Sequence, residues 1–240
     1  MTYSILARCP RTGQLGLGVA SYSLAIGMHC DAAVRPNVGV TFTQGSPNPR
    51  NNRLALHLLA QGFSPQQALR ELAGSDPDFE YRQVGLIDRE GTVVFHSGAH
   101  LPGWAGHSLG QGCIALAEGA AGAGVTTAMT SVFEASPDED LDERLLRALE
   151  AGRDAGGLAG RQGRLPERSA ALIVWGVRDY SDMDLRVDLH EAAVGELRRI
   201  YADYKPTAAY YDERARNPRN AISAKEFAAN LAHGRTQGTR

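Results

Sequence analysis

Lysine is nearly missing from this chain. Of its 25 basic residues only Lys205 and Lys225 are lysines, and the other 23 are arginines. Before residue 205, therefore, no side-chain amine is able to give up a proton at working pH, because a guanidinium stays charged. Net charge is −2, and no stretch gathers arginines into the basic face that a nucleic-acid partner requires. Cysteine is scarce too: Cys9, Cys30 and Cys113 are odd in number, widely spaced and form no C-x-x-C pair. They read as reduced thiols of a cytoplasmic protein rather than a disulfide frame. No apolar run approaches the roughly 20 residues of a membrane span, so no membrane partner is expected. The segment LGLGVASYSLAIG (15–27) follows Arg8 and Arg11, but Gly, Ser and Tyr dilute it and a credible strand precedes it. It is not read as a signal-peptide core. The chain also lacks a dinucleotide fingerprint, a phosphate-binding loop and an internal repeat.

What is present is the composition of an ordinary globular protein, 43% apolar and 22% charged over 240 residues, enough for one large domain. TYSILAR (2–8) and QLGLGVASYS (14–23) flank CPRTG and form a hairpin pattern. Folding it near Arg11–Gly13 sets Thr2 opposite residues 21–23. Residues 33–44 read as one further strand. Asn48 is an N-cap with Pro49 behind it, Gly62 stops that helix, and Ser64-Pro65-Gln66-Gln67 is a capping box opening a second. YRQVGLID and TVVFHSG surround DREG in another hairpin, with Gly91 at the left-handed position. Residues 112–122 read as a strand, and Val125, Met129 and Phe133 mark a helix face. Ser136-Pro137-Asp138-Glu139 predicts a second capping box before Leu141, Leu145 and Leu149. Residues 152–168 hold five glycines and are expected to be a mobile loop or lid. SAALIVWGV (169–177) is a buried strand and DLRVDLH leads into a helix. Strand pairs joined by tight turns are antiparallel, and the helix pairs between them suit the outer faces of two stacked sheets.

TYSILAR, TGQLGLGVAS, GVTFTQ followed by NP, YRQVGLID, GWAGH, RSAAL and DLRVDLH together resemble domain-of-unknown-function family 1028, a branch of the N-terminal-nucleophile (Ntn) hydrolase-like proteins. The resemblance runs from residue 2 to about 204. It implies an α+β fold, a four-layer αββα sandwich of two mostly antiparallel sheets, over residues 1–205. Residues 206–240 are then a polar tail and a candidate oligomerisation arm, and a homodimer is expected. It also implies hydrolysis of an amide or related acyl C–N bond in a small molecule or short peptide, with no cofactor and no metal. The chain departs from the family pattern at Leu116, Ala117 and Glu118, where QGN is expected. It departs again at Arg168, where Gln is expected, and at Leu189, where a second Asp is common.

Ntn chemistry needs a Ser, Thr or Cys at the mature terminus, and Thr2 meets that need once Met1 is removed. The freed α-amine, with a pKa near 8, accepts the hydroxyl proton as Oγ attacks a carbonyl. With no early lysine, this amine carries the base role almost alone, and Ser21 is expected to orient it. Gly45 and Ser46, between a strand and a helix start, are expected to supply oxyanion N–H donors. Thr43 and Gln44 are expected to line the cleft, and Asp184, Arg186 and Asp188 share one strand face that suits a charged substrate. Three plainer readings stand beside these. Asp184, Asp188 and His190 are candidates for a metal-dependent enzyme or, more simply, an ion-paired strand edge. His96 and His100 have zinc-like spacing only on a helix, and Gly98 interrupts them. Cys30 beside His29 reads as a buried thiol. A non-catalytic binding protein that keeps the fold is the remaining alternative.

Overall fold

The alternation in LGLGVAS decides how the first hairpin packs. A computed structural model describes residues 1–237, with side chains through residue 231. Strands β1 (Thr2–Arg8) and β2 (Leu15–Ser21) pair antiparallel with Thr2 opposite Ser21, the register expected from the turn. Leu15, Leu17 and Val19 point into one core. Gly16 and Gly18 lie on the opposite face, because strand side chains alternate. A Cβ on Gly16 would fall 2.6 Å from Leu145 Cδ1, and one on Gly18 would fall 3.2 Å from Leu149 Cγ. The bare strand face is what lets helix α4 (Leu141–Asp154) approach it closely.

Around this hairpin an eight-stranded sheet is built. Its order is β10 (Gly163–Leu165), β9 (Leu158–Gly160), β8 (Cys113–Ala120), β1, β2, β11 (Ser169–Trp175) and β12 (Met183–Val187), with β7 (Trp104–Gly110) also paired on β8. A four-stranded sheet follows the order β3 (Val34–Arg35), β4 (Gly39–Gly45), β5 (Arg82–Asp88), β6 (Val93–Ser97). Every pairing in both sheets is antiparallel. Helices α3 (Ala123–Glu134) and α4 pack on the large sheet, and α1 (Pro49–Ala60) and α2 (Pro65–Ser75) pack on the small one. One apolar cluster joins Leu6, Leu17 and Leu116 of the large sheet to Val40, Phe42 and Ile87 of the small sheet. Gly85 marks the closest approach: a Cβ there would sit 2.7 Å from Leu116 Cδ1. A second cluster, with Ala55, Ala68, Leu72, Val84 and Leu86, fills the space between the small sheet and its helices.

The caps of α1 and α2 are as expected: Asn48 accepts from the Arg50 N–H, and Ser64 and Gln67 form a capping box. Several expectations are corrected. Residues 33–44 are not one strand, because a turn through Asn37, at φ 57°, separates β3 from β4. Ser136 caps no helix. Its carbonyl accepts from Glu139 N in a turn, and α4 starts one residue past Asp140. The glycine-rich stretch 152–168 is neither loop nor lid over its length: β9 and β10 pair within it, and Ala120 of β8 pairs with Leu158. Its glycines serve positive-φ turns at Gly156, Gly157 and Gly163.

Helix α5 (Ala193–Arg216) runs through Pro206, with Asp203–Arg199 and Asp212–Arg216 pairs one turn apart along it. Helix α6 (Ala224–Gln237) follows. Two compact units result, Met1–Arg198 and Arg199–Arg240. In the second, Tyr210 stacks on Phe227 with ring centroids 4.0 Å apart. Among the described residues, no helix is long and apolar enough to cross a membrane.

Candidate active site

Register carries one row of polar side chains across the end of the large sheet. Glu118 of β8 lies opposite Thr2, Thr2 opposite Ser21, and Ser21 opposite Ser169. Residues directly opposite share a face, and that face looks toward the small sheet, because Ser4, two residues on from Thr2, donates to Gln44 Oε1 at 2.6 Å. The next row inward, Leu116, Ser4, Val19 and Ala171, is largely apolar. All four members of the polar row are buried, Thr2 at 5% exposure and the others at 0%.

Hydrogen bonds tie the row to the chain on either side of β2. Ser21 donates to the Met1 carbonyl at 3.1 Å. Thr2 Oγ1 lies 3.0 Å from Ser21 Oγ, and either hydroxyl can donate in that pair. Ser23 N–H also donates to Ser21 Oγ at 3.1 Å. Ser169 donates to the Ser23 carbonyl and accepts from Ile26 N–H, which fixes the loop that follows β2. Ser21 thus contacts both the threonine hydroxyl and the preceding carbonyl.

Glu118 is the lone charge in the strand CIALAEGA. Its Oε1 lies 3.1 Å from the Met1 amine, and Oε2 has no hydrogen-bond partner among the described residues. Burial pushes its pKa up to about 7, although the amine and the Thr2 hydroxyl both pull the other way. The family comparison of residues 116–118 located this position only as a departure. The signal for its importance was a carboxylate inside an otherwise apolar run.

The remaining predicted residues divide. Gln44 faces Thr2 but is fully engaged: Nε2 donates to the Thr2 carbonyl at 3.3 Å and to Gln83 Oε1 at 2.8 Å. Gln83 continues the chain to Ser97 Oγ and the Gly106 carbonyl, so Gln44 anchors β1 to the small sheet. Thr43 points the other way, beside Val84 in the helix-side core, and does not line this cleft. Ser46 N–H donates to the Tyr81 carbonyl at 3.0 Å and is not free for an oxyanion. Gly45, at φ 90°, packs tightly against Leu101 and Tyr81. Asp184, Arg186 and Asp188 do share one face, but it is exposed. Arg186 donates twice to the Asp184 carboxylate, at 2.7 and 3.0 Å, the ion-paired strand edge. His96 stacks on Phe79 and His100 packs on Tyr81. Among the described residues no three His, Cys, Asp or Glu side chains converge on a metal position. Burial pushes the Cys30 thiol up to about 12, as fits an inert core thiol. A surface groove of ≈ 690 Å³ lined by Arg35, Phe63, Gln67 and Arg89 lies where Arg89 meets Arg8, at the far end of β1 from Thr2.

Two antiparallel sheets with helices on their faces, and a buried Thr–Ser–Glu row at one sheet end, define an α+β protein with a candidate nucleophile beside its terminus. The chain belongs to the family of unknown function DUF1028, whose model matches residues 2–197. It is similar to a DUF1028 protein of known crystal structure, SPO2555 from Silicibacter pomeroyi, at 29% identity and a TM-score of 0.74. That similarity covers 85% of this chain and 89% of the other. Comparison with curated proteins finds no match.

Proposed function

We propose that this protein is an Ntn-type hydrolase acting on an amide or related acyl C–N bond of a small molecule or short peptide. Thr2 is its nucleophile after removal of Met1. The layer order, α3 and α4, large sheet, small sheet, α1 and α2, supports an Ntn-hydrolase-like αββα arrangement. The observation that carries the reading is the Thr2 hydroxyl held 3.0 Å from Ser21 Oγ, one residue from the terminus and at the end of a central strand. A nucleophile on a strand is positioned more firmly than one on a loop.

In this reading the Thr2 α-amine takes the Oγ1 proton as Oγ1 adds to the carbonyl carbon. The proton then passes to the leaving nitrogen as the C–N bond breaks. Water hydrolyses the resulting ester and regenerates the threonine. Removal of Met1 also frees Tyr22 N–H and Ser21 Oγ–H, both 3.1 Å from the Met1 carbonyl oxygen. These two donors replace Ser46 as the candidate oxyanion partners. The rival, a non-catalytic binding protein, is favoured by the ion pair between the Met1 amine and Glu118. Intact-mass measurement of purified protein, with an amide panel run on wild type and Thr2→Ala, separates them. A terminus at Thr2 and Thr2-dependent turnover support the hydrolase. Retained Met1 with no turnover sinks it.

A further inference from the structure

Met1 is received by three separate features, each suited to one part of an aminoacyl group. Its amine faces the fully buried Glu118 carboxylate at 3.1 Å. Its carbonyl oxygen takes two donors, Ser21 Oγ–H and Tyr22 N–H. Its side chain lies along Gly119, where a Cβ would come within 2.4 Å of Met1 Cγ, so only glycine leaves that strip open. Gly103 backs the strip in turn, since a Cβ there would sit 3.3 Å from Gly119 Cα. Glu118 Oε2 has no partner among the described residues. An incompletely paired buried carboxylate is costly unless a cation meets it. Once Met1 leaves, the charge opposite Glu118 is the new Thr2 α-amine, which the reaction uses as its base, and the same three features stand open around Thr2 Oγ1.

Resting on the N-terminal-threonine reading, we propose that the vacated cleft takes α-aminoacyl amides with a free ammonium group and an unbranched apolar side chain, and that Glu118 selects the ammonium. The reaction is the one given above: Oγ1 forms the ester, the amine leaves with its proton, and water releases a free amino acid. A des-amino or N-acylated analogue brings no second cation to Glu118. A site built around a charged or hydrogen-bonding group rejects analogues that lack it far more strongly than an apolar pocket rejects a missing methylene.

The test uses full-length protein whose terminus is verified at Thr2. Rates are compared for methionine p-nitroanilide, its N-acetyl derivative and the des-amino 4-(methylthio)butanoyl p-nitroanilide. The free-amine substrate is expected to lead in kcat/KM by about 100-fold, and Glu118→Gln is expected to erase that lead. In parallel, calorimetry on Thr2→Ala measures binding of L-methioninamide against 4-(methylthio)butanamide, with and without Glu118→Gln. Thr2-dependent cleavage that ignores the amine overturns the substrate class and leaves the hydrolase reading standing. Glu118-dependent binding of methioninamide without any cleavage keeps the recognition site and removes the hydrolase reading. Equal binding of both amides, or an amine preference that survives Glu118→Gln, overturns this proposal.

Discussion

Two buried carboxylates in this fold have opposite surroundings. Asp76, at the end of α2, accepts from Asn48 Nδ2 at 3.2 Å, Asn51 Nδ2 at 2.9 Å, Arg82 Nε at 3.1 Å and Asp78 N–H at 3.1 Å. These donors hold its pKa well below the ordinary aspartate range, against the upward push of burial. Glu118 has one recorded charged neighbour, the Met1 amine, and an oxygen without a partner, and burial raises its pKa. The saturated group ties α1, α2 and β5 together and has little capacity left for a ligand. The unsaturated one sits beside the candidate nucleophile. Incomplete hydrogen bonding, more than burial or charge, separates a group kept for the scaffold from one available for function.

Predictions that test this contrast run from large to small. Thr2→Ala is expected to lower amide turnover by at least about 10³-fold while leaving the urea midpoint within experimental error. A matching loss of stability would mean that Thr2 belongs to the scaffold. Asp76→Ala is expected to do the reverse. Stability should fall by about 3–5 kcal/mol, because the Arg82 charge is left buried without its partner, a change visible in equilibrium denaturation.

The pH dependence of the two groups should have opposite signs. Glu118 titrates at about 7 in the folded chain carrying Met1, against an ordinary value of about 4.3. Between those values the folded state holds more protons, so stability falls as pH rises through this window. Glu118→Gln should therefore be more stable than wild type by up to about 3 kcal/mol above pH 7, with the difference gone below about pH 4. Asp76 has a depressed value, so its contribution is complete above about pH 4 and is lost as pH falls further. Denaturation of wild type, Glu118→Gln and Asp76→Asn across pH checks both signs. Gly85→Ala, which drives a methyl toward Leu116 at 2.7 Å, should cost about 1–3 kcal/mol through overpacking between the sheets. Asp184→Asn, on the exposed face of β12, should change stability by less than about 0.5 kcal/mol and leave turnover unaltered. A turnover loss there would restore a role for the charged strand edge.

Local signals carried much of the architecture. The caps at Asn48 and Ser64 and the hairpins around CPRTG and DREG are written in adjacent residues, and their turn chemistry needs no distant partner. The register that places Thr2 against Ser21 follows from the same hairpin. The misreadings had a common origin. Ser136 matches a cap motif whose helix begins later, and the glycines of 152–168 suggest mobility where Gly156 and Gly157 turn the chain from α4 into β9 and Gly163 opens β10. In both, local composition permits more than one backbone path, and pairing of Leu158 with Ala120 of β8 decides between them for the second. The site was legible by halves. The turn register sets Ser21 opposite Thr2, and Thr2 stands out by its place behind Met1; the face of Thr43 and the pairing of the Ser46 amide depend on strands and turns distant in sequence.

From the residues alone followed a hairpin-rich α+β chain, an early serine opposite Thr2, and the absence of any lysine that might serve as base before residue 205. These depend on neighbours in sequence and on side-chain chemistry. The tertiary structure decided that Glu118, 116 positions away, stands beside Thr2, that Gln44 is bound up in anchoring, and that Ser46 is already paired. Pairing between strands distant in sequence fixes those relations, and a buried polar atom acquires its meaning only when all its partners can be counted.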